Sequence, residues 1–294
     1  MTKPIEILLQ TTIEPTENDW HIGRFSLLAD LLARERATDG SALFSVTARD
    51  RGPLGGPDPV LSDLDRSSFD ELWLFAVDTG DGLDDADLRG IDRFRRRGGG
   101  LMLTRDHMDL GCSICAVPGV GAAHLFHTHN VDPDKPIAGP DDMGTPEILW
   151  PNYHSGANGD FQVIEPVEPV HAVLRDPAAP GGVVRFLPAH PHEGAVIAPP
   201  GDALARAIAT GSSKTSRARF NTAVAFEASD RGGRALAEST FHHFADYNWD
   251  VARGAPDFVS EAPGGNLLET PEAMAAVRTY VRNVALWLAG RDPA

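Results

Sequence analysis

Histidine is the residue whose number and spacing stand out in this sequence of 294 residues. There are eleven histidines, and several form close pairs, among them His127 with His129 and His190 with His192. Alternate residues of an extended segment point to the same side, so both imidazoles of such a pair can reach one metal ion. Imidazole also takes up and releases protons near neutral pH. These pairs therefore predict a site for a metal ion or for proton transfer.

Polar residues also follow apolar runs directly, at points where strands are expected to end. Asp106 and His107 come after the apolar run of residues 101–104, and Glu193 lies just past a run that ends at Leu187. A carboxylate beside a histidine can act as a general base, a nucleophile or a metal ligand. The predicted catalytic residues are Asp106, His107, Glu193 and His242.

The other candidates are divided between a metal ion and a substrate. The predicted metal ligands are His127, His129, His154, His190 and His192. A divalent ion, zinc above all, suits such ligands, and we expect no nucleotide cofactor. The predicted substrate-binding residues are Arg105, Trp150, Tyr153, Asn158 and Asn248. The alternatives are structural: a salt-bridge cluster at Arg105, solvated loop histidines, and an aromatic packing corner around His242.

A strand, a helix and a second strand position the first of these clusters. Residues 72–77 are apolar and too few for a helix, and Asp84 marks the start of a helix that the glycines at 98–100 end. The second strand, residues 101–104, follows at once. Strands joined by one helix are parallel, with a right-handed crossover, and ligands bind beyond their carboxyl ends. This edge of the sheet should therefore carry the site.

The rest of the chain fits one α/β domain over residues 1–294. Further strands are predicted at residues 5–10 and 44–48, and short strands follow residue 161, whereas a final helix spans residues 271–288. Periodicity is weak over about residues 111–160, where glycine, proline, aspartate and histidine dominate. A loop-rich stretch of this length is usually functional. The pattern predicts one α/β domain with parallel strands and this loop-rich insertion.

Charge and hydropathy narrow the classes of partner. The formal net charge is −16, from 42 acidic and 26 basic residues, which argues against a nucleic-acid partner. No apolar run is long enough to cross a membrane, and the apolar start is too short for a signal peptide, so we expect a cytoplasmic protein. The expected partner is a small-molecule substrate, and the chain could form a homo-oligomer.

The two cysteines form a Cys-x-x-Cys pattern whose role the sequence leaves open. Cys112 and Cys115 could be a redox pair or half of a zinc site. They could equally be two reduced structural thiols, because the pattern alone is weak evidence for either function.

Several motifs together resemble a known superfamily. They are the acidic loop after the strand in DELWLFAVDTGDGLDD, the helix end FRRRGGGLMLT, His171 in PVHAVLRDP, the segment LPAHPHEG and the junction GGRALAESTFHHF. On these motifs the chain resembles the class I glutamine amidotransferase-like superfamily, and most of all its ThuA-like (trehalose utilization) branch. The resemblance spans roughly residues 1–290. It implies a flavodoxin-like fold, which is a parallel sheet with helices on both faces, and a sugar-like substrate.

The chain departs from the amidotransferases at the nucleophile. These enzymes carry a cysteine in the turn after the strand that corresponds to residues 101–104, and Asp106 is nearest to that position here. Cys112 lies several residues later, whereas His242 falls where the family has its catalytic histidine. Cysteine-dependent hydrolysis of glutamine is therefore not expected.

Three functions remain open on the sequence. The first is a hydrolase or proton-transfer enzyme for a small polar substrate, with or without a metal ion that activates water. The second is a metal-free hydrolase in which Asp106 and His242 act as a pair. The third is a non-catalytic domain that binds a small ligand or a partner protein, which the missing nucleophile would explain.

Overall fold

The computed structural model describes residues 3–132 and 145–293. Its strands are β1 (Ile5–Thr11), β2 (Phe44–Arg49), β3 (Glu71–Phe75), β4 (Gly100–Thr104), β5 (His124–Leu125), β6 (Phe161–Val163), β7 (Glu165–Pro166), β8 (Phe186–Pro188), β9 (Ala195–Val196), β10 (Ala205–Ser212), β11 (Arg219–Phe226) and β12 (Ala235–Glu238). Its α-helices are α1 (Ser26–Arg34), α2 (Asp85–Arg96), α3 (Asp246–Trp249), α4 (Asn266–Glu269) and α5 (Pro271–Leu288).

Eight strands form one central sheet in the order β2-β1-β3-β4-β12-β11-β10-β7. The first five are parallel, in the order that the flavodoxin-like fold uses, with β12 in the place of the fifth strand. The prediction of an α/β sheet of this type is thus confirmed, but the sheet is not wholly parallel. β11, β10 and β7 are antiparallel to their neighbours, because the short connections between β10, β11 and β12 cannot make parallel crossovers.

Helices cover both faces of the sheet, as predicted. On one face α1 and α5 pack against alternate residues of the strands, such as Ile7 and Phe75. On the other face α2 packs Ile91 and Phe94 against residues such as Leu74. Because both faces are covered, the central strands are buried on both sides and read as continuous apolar runs.

The crossover helix α2 begins where the sequence predicts. Asp84 is its N-cap, and its side chain accepts a hydrogen bond from the amide of Ala86 at 2.8 Å. Asp87 completes a capping box by accepting from the amide of Asp84 at 3.0 Å. Two of the free amides at the helix start are thereby satisfied, which stabilises the helix by roughly 1 kcal/mol. The helix in turn fixes where β4 starts.

The pairing of β4 with β12 brings two chain segments together at the carboxyl edge. Thr104 at the end of β4 lies opposite Glu238 at the end of β12. Beyond the strands, the amide of Phe241 donates to the carbonyl of Arg105 at 2.8 Å, which keeps the segments in register. Residues that follow these strands by one to four positions must therefore lie side by side.

The described part of the loop-rich region has little regular structure. It contains two short 3₁₀ turns, Cys112–Ala116 and Gly121–Ala123, and the two-residue strand β5. Residues 133–144 of the predicted loop lie outside the described residues. Among the described residues, no helix combines the length and the hydropathy that crossing a membrane requires.

Candidate active site

Three side chains from distant parts of the sequence meet at the carboxyl edge of the sheet. Each of Asp106, His190 and His242 is buried and offers a ligand atom within 4.8 Å of the other two. Nε2 of His190 lies 3.2 Å from Oδ1 of Asp106, and Nε2 of His242 lies 3.6 Å from Oδ2. Two imidazoles and a carboxylate are a common ligand set for a divalent transition metal.

Each of these three residues follows the end of a strand. Asp106 lies two positions after β4, and His190 lies two positions after β8. His242 lies in a 3₁₀ turn after β12, where the hydroxyl of Thr240 caps the turn by accepting from the amide of His242 at 3.2 Å. Asp106 and His242 thus lie where polar residues beyond the carboxyl ends of parallel strands converge, whereas His190 reaches them from the separate two-stranded sheet of β6 and β8.

One backbone carbonyl determines the protonation of both imidazoles. The amide nitrogen of Asn248 donates to the carbonyl of Ala189 and to Oδ1 of Asn158, each at 2.8 Å. Oδ1 of Asn248 therefore faces Nδ1 of His242 at 2.8 Å, and Oδ1 of Asn158 faces Nδ1 of His190 at 2.9 Å. Both oxygens can only accept, so both Nδ1 atoms carry a proton. When the rings are neutral, each Nε2 presents a lone pair towards Asp106.

Two buried imidazole nitrogens beside Asp106 lack a hydrogen bond, Nε2 of His190 and Nδ1 of His107. Nε2 of His190 is close to the carboxylate of Asp106, but the geometry of this contact is not that of a hydrogen bond. This nitrogen has no hydrogen bond with any described residue. Burial lowers the pKa of His190 well below its ordinary value, and the charge of His242 adds to this effect. A neutral imidazole with an orphan nitrogen is costly to bury, unless a cation or a water molecule lies against it.

The carboxylate of the cluster stays ionised. Burial by itself would raise the pKa of Asp106, but the imidazoles of His107, His190 and His242 hold it well below its ordinary value. The hydroxyl of Thr240 lies 3.5 Å from Oδ1 and also favours the charged form. A buried carboxylate faced by the Nε2 atoms of two imidazoles is an environment that attracts a cation.

Two further histidines surround the cluster. Nδ1 of His107 lies 3.3 Å from Oδ2 of Asp106, and the His107 ring packs edge-on against His192 at 5.4 Å. His192 is held at both nitrogens, by Oδ1 of Asn152 and by Oε1 of Glu261, each at 2.9 Å. Burial lowers the pKa of His192, against the effect of Glu261. His107 is partly exposed, so it is the histidine best placed to exchange protons with a bound molecule.

A cleft of about 400 Å³ opens onto these residues. The polar side chains on its lining are Asp19, Thr79, Asp106, His107, Asn158, His190, His192, His242 and Glu261. A volume of this size fits a small molecule. The structure therefore brings together Asp106, His107, His190, His192, His242 and Asn158 from the sequence-based candidates, with Asn248 directly behind them.

Glu193, a predicted catalytic residue, points away from this cleft. Its carboxylate accepts from the amide of Gln162 and, at 2.7 Å, from the hydroxyl of Ser239, and it lies 3.6 Å from Nε2 of His243. Burial by itself would lower the pKa of His243, but Glu193 and Glu238 raise it to about 9. Glu193 is therefore part of a buried charge network behind the site, because alternate residues after β8 point to opposite sides.

Arg105 does not reach the cleft either. It is fully buried, donates to the backbone carbonyls of Leu125 and Met108, and its guanidinium lies 4.0 Å above the ring of Phe126. Burial lowers its pKa to about 9. These contacts anchor the loop after β4, and bonds to carbonyl groups take the place of the salt bridge that was the structural alternative for this residue.

Trp150 and Tyr153 form a separate apolar cluster. The indole nitrogen of Trp150 donates to the hydroxyl of Tyr153 at 3.2 Å, and Tyr153 stacks on Phe220 at 4.7 Å. Leu125 and Ala195 complete this cluster. These aromatic residues pack β5 and β9 against the sheet, and they are not on the lining of the cleft.

Three predicted metal ligands lie apart from the cluster. Nδ1 of His127 contacts the carbonyl of Trp150 at 3.0 Å, and His129 is exposed beside Thr128. Nδ1 of His154 contacts the carbonyl of Pro191 at 3.3 Å. Within residues 3–132 and 145–293, the cluster of Asp106, His190 and His242 is the one group with metal-ligand spacing.

The cysteines also lie outside this cluster. Both are free, Cys112 buried and Cys115 half-buried. Burial raises the pKa of Cys112 to about 11, and Asp78 and Asp109 act in the same direction. A protonated, buried thiol is a poor nucleophile and a poor ligand. The structure thus favours the structural alternative for this pair.

Sequence reasoning missed several residues that shape the site. Trp20 packs edge-on against the ring of His242 at 4.6 Å, and Asn152 and Glu261 hold His192. Trp20 precedes the first helix. Glu261 lies in a late loop that is far from any histidine in the sequence. No local pattern marks such residues, since only the tertiary fold brings them to the cleft.

Comparison with known proteins adds little. No protein-family model matches this chain, and no curated protein matches it. Among solved structures, it is similar to the CTPS glutaminase domain from Trypanosoma brucei with bound acivicin, at 13% sequence identity and a TM-score of 0.45. The match covers 99% of this chain and 96% of that one. A TM-score below 0.5 does not establish a shared fold. The fold assignment therefore rests on the sheet order and helix placement described above.

Proposed function

We propose that this chain is a metal-dependent hydrolase of small molecules, with a zinc ion held by Asp106, His190 and His242. The observation that carries the proposal is the pair of imidazoles whose Nδ1 atoms are committed as donors while both Nε2 atoms face one carboxylate. Histidine ligands of metals have this arrangement, in which the second ring nitrogen donates to an oxygen behind it.

The chemistry follows from the number of ligands. Three protein ligands leave a coordination position open to the cleft, which is typical of catalytic rather than structural zinc. A divalent ion in this place would polarise a carbonyl group or make a water molecule more acidic. His107 lies beside Asp106 without belonging to the ligand set, and we assign it the role of general base and acid. Asn158 and Asn248 orient the two ligand imidazoles.

The metal-free alternative has weaker support. A catalytic pair of Asp106 and His242 needs a hydrogen bond of about 3 Å, whereas their nearest atoms are 3.6 Å apart. Nδ1 of His242 donates to Asn248 and not to a carboxylate, so the aspartate would not orient this ring as it does in a catalytic triad. A sugar-like substrate stays a prediction of the family resemblance.

Elemental analysis of untagged protein tests the proposal. We expect about one equivalent of metal in the wild type and in His127→Ala, and loss of the metal in His190→Ala and His242→Ala. Circular dichroism of each variant shows whether it is folded. Hydrolysis of model esters and amides should then require the ion and fall at least tenfold in His107→Ala. A folded wild type that binds no added zinc would overturn the proposal and favour a domain that only binds.

A further inference from the structure

The cleft has apolar walls above its polar floor. The apolar side chains on its lining are Trp20, Val77, Leu110, Ile148, Phe258 and Val259. The side chain of Phe258 is 60% exposed. At that exposure its burial contributes little to the stability of the fold. One exposed apolar residue needs no explanation, but here the exposed ring borders a cleft whose floor is the cluster of Asp106 and the histidines.

Apart from its histidines, the charged side chains that line the cleft are acidic. Its carboxylates are Asp19, Asp106 and Glu261, and no lysine or arginine is among the described residues of its lining. A phosphate or carboxylate group on a ligand would find no lysine or arginine here, whereas a cation would find two carboxylates near the entrance.

The entrance is formed by two loops that are joined to each other. The side-chain oxygen of Asn18 accepts from the amide of Asp257 at 2.8 Å, and Arg24 donates to the carbonyl of Gly254 at 3.0 Å. The first loop carries Asp19, and the second carries Phe258 and Glu261. These bonds hold the aromatic ring and the carboxylates around one opening, so the binding surface is largely formed before a ligand arrives.

We infer that the substrate of this site has an aromatic or similarly flat apolar part that packs against Phe258, and that the carboxylates at the entrance favour an uncharged or cationic polar group there over an anionic one. The reaction at the cluster rests on the proposed hydrolase, but the binding preference stands on the walls and charges of the cleft alone. It can therefore be tested without a metal ion.

Three ligands that share one ring separate the contributions of shape and charge. Indole is neutral, tryptamine is cationic and indole-3-acetate is anionic. Isothermal titration of each into metal-stripped full-length protein should give the tightest binding for tryptamine, weaker binding for indole, and binding at least tenfold weaker than tryptamine for indole-3-acetate. Metal content, measured separately, decides the fate of the hydrolase proposal and does not enter this result.

Matched variants locate the binding. Phe258→Ala should weaken all three ligands about tenfold, whereas Leu268→Ala, which removes another exposed apolar side chain outside the cleft, should leave them unchanged. Glu261→Gln should reduce the advantage of tryptamine over indole, and Asp30→Asn on exposed α1 should not.

Three results would overturn the inference. Equal or tighter binding of indole-3-acetate than of tryptamine would show that charge does not select the ligand. Tighter binding of trehalose than of indole, or no binding of any ring, would show that the apolar wall is not a binding surface, and the first of these would favour the sugar-like substrate.

Discussion

The imidazole rings of His190 and His242 stack with their centroids 3.5 Å apart and their planes within 11° of parallel. Their Nδ1 atoms donate to Asn158 and Asn248, and the latter amide bonds to the former. The two rings are therefore held together by stacking and by one hydrogen-bonded network. Their Nε2 atoms point together at Asp106, and the orientation of this pair determines whether the cluster can hold a metal ion.

Removal of the shared amide should loosen the metal without unfolding the protein. Asn248→Ala removes the acceptor for His242 and the link to Asn158, so both ligand rings lose their orientation. We expect zinc affinity to fall about 10- to 100-fold, as is usual for residues behind a metal ligand. Competition with a chromophoric chelator measures this affinity. Asn283→Ala is the matched control, because Asn283 is equally buried but bonds the carbonyls of Val173 and Arg175 instead.

Substitution of His242 should affect metal binding, whereas substitution of the adjacent His243 should affect stability. His242→Ala removes a predicted ligand, whereas His243→Ala leaves the buried carboxylates of Glu193 and Glu238 without their shared partner. We expect the first variant to lose the metal, and the second to lose about 3 kcal/mol of unfolding free energy, since an unpaired buried charge is costly. Urea denaturation and metal analysis of both proteins provide the two readouts. Metal loss in folded His243→Ala with retention in His242→Ala would contradict this division.

A single methyl group behind Asp106 should disturb the site. A Cβ on Gly194 would lie 2.5 Å from the carbonyl oxygen of Asp106, so Gly194→Ala must displace the backbone that carries this carboxylate. We expect zinc affinity to fall at least tenfold and the midpoint of thermal unfolding to decrease. Gly56→Ala is the control, since nothing lies within 4 Å of a Cβ there. If Gly194→Ala binds zinc as tightly as the control, the position of Asp106 does not govern the site.

A carboxylate remote from the site should account for part of the loss of unfolding free energy at acid pH. Burial by itself would raise the pKa of Asp58, but Arg49 and backbone amides lower it to about 2. Because this folded-state value lies below the ordinary value of 3.8, the stabilisation is present above about pH 4 and is lost as the pH falls through 2. It amounts to about 2 kcal/mol.

The variant Asp58→Asn tests this pH dependence. Its loss of unfolding free energy relative to the wild type should be largest near pH 6 and should shrink by about 2 kcal/mol towards pH 2. Urea denaturation at several pH values measures the difference. Asp63→Asn, at an exposed ion pair with Arg66, should show little loss at any of them. A difference for Asp58→Asn that does not change with pH would contradict the expected role of its charge.

The order of the elements could be predicted from local patterns. The apolar run and the glycines around α2 indicated the crossover and its parallel strands, because period and capping are properties of neighbouring residues. The antiparallel strands β10 and β11 were predicted only as short strands. Their direction depends on pairing partners, and the apolar pattern of a strand does not specify those partners.

The sequence by itself determined that polar residues such as Asp106, His190 and His242 follow strand ends, and hence that chemistry belongs at one edge of the sheet. Only the tertiary structure decided which of the histidines converge. His127 and His129 share the spacing of His190 and His192, yet they lie elsewhere. Metal-ligand geometry depends on distances between segments far apart in the chain, and these distances are set by sheet register and packing, which no local spacing encodes.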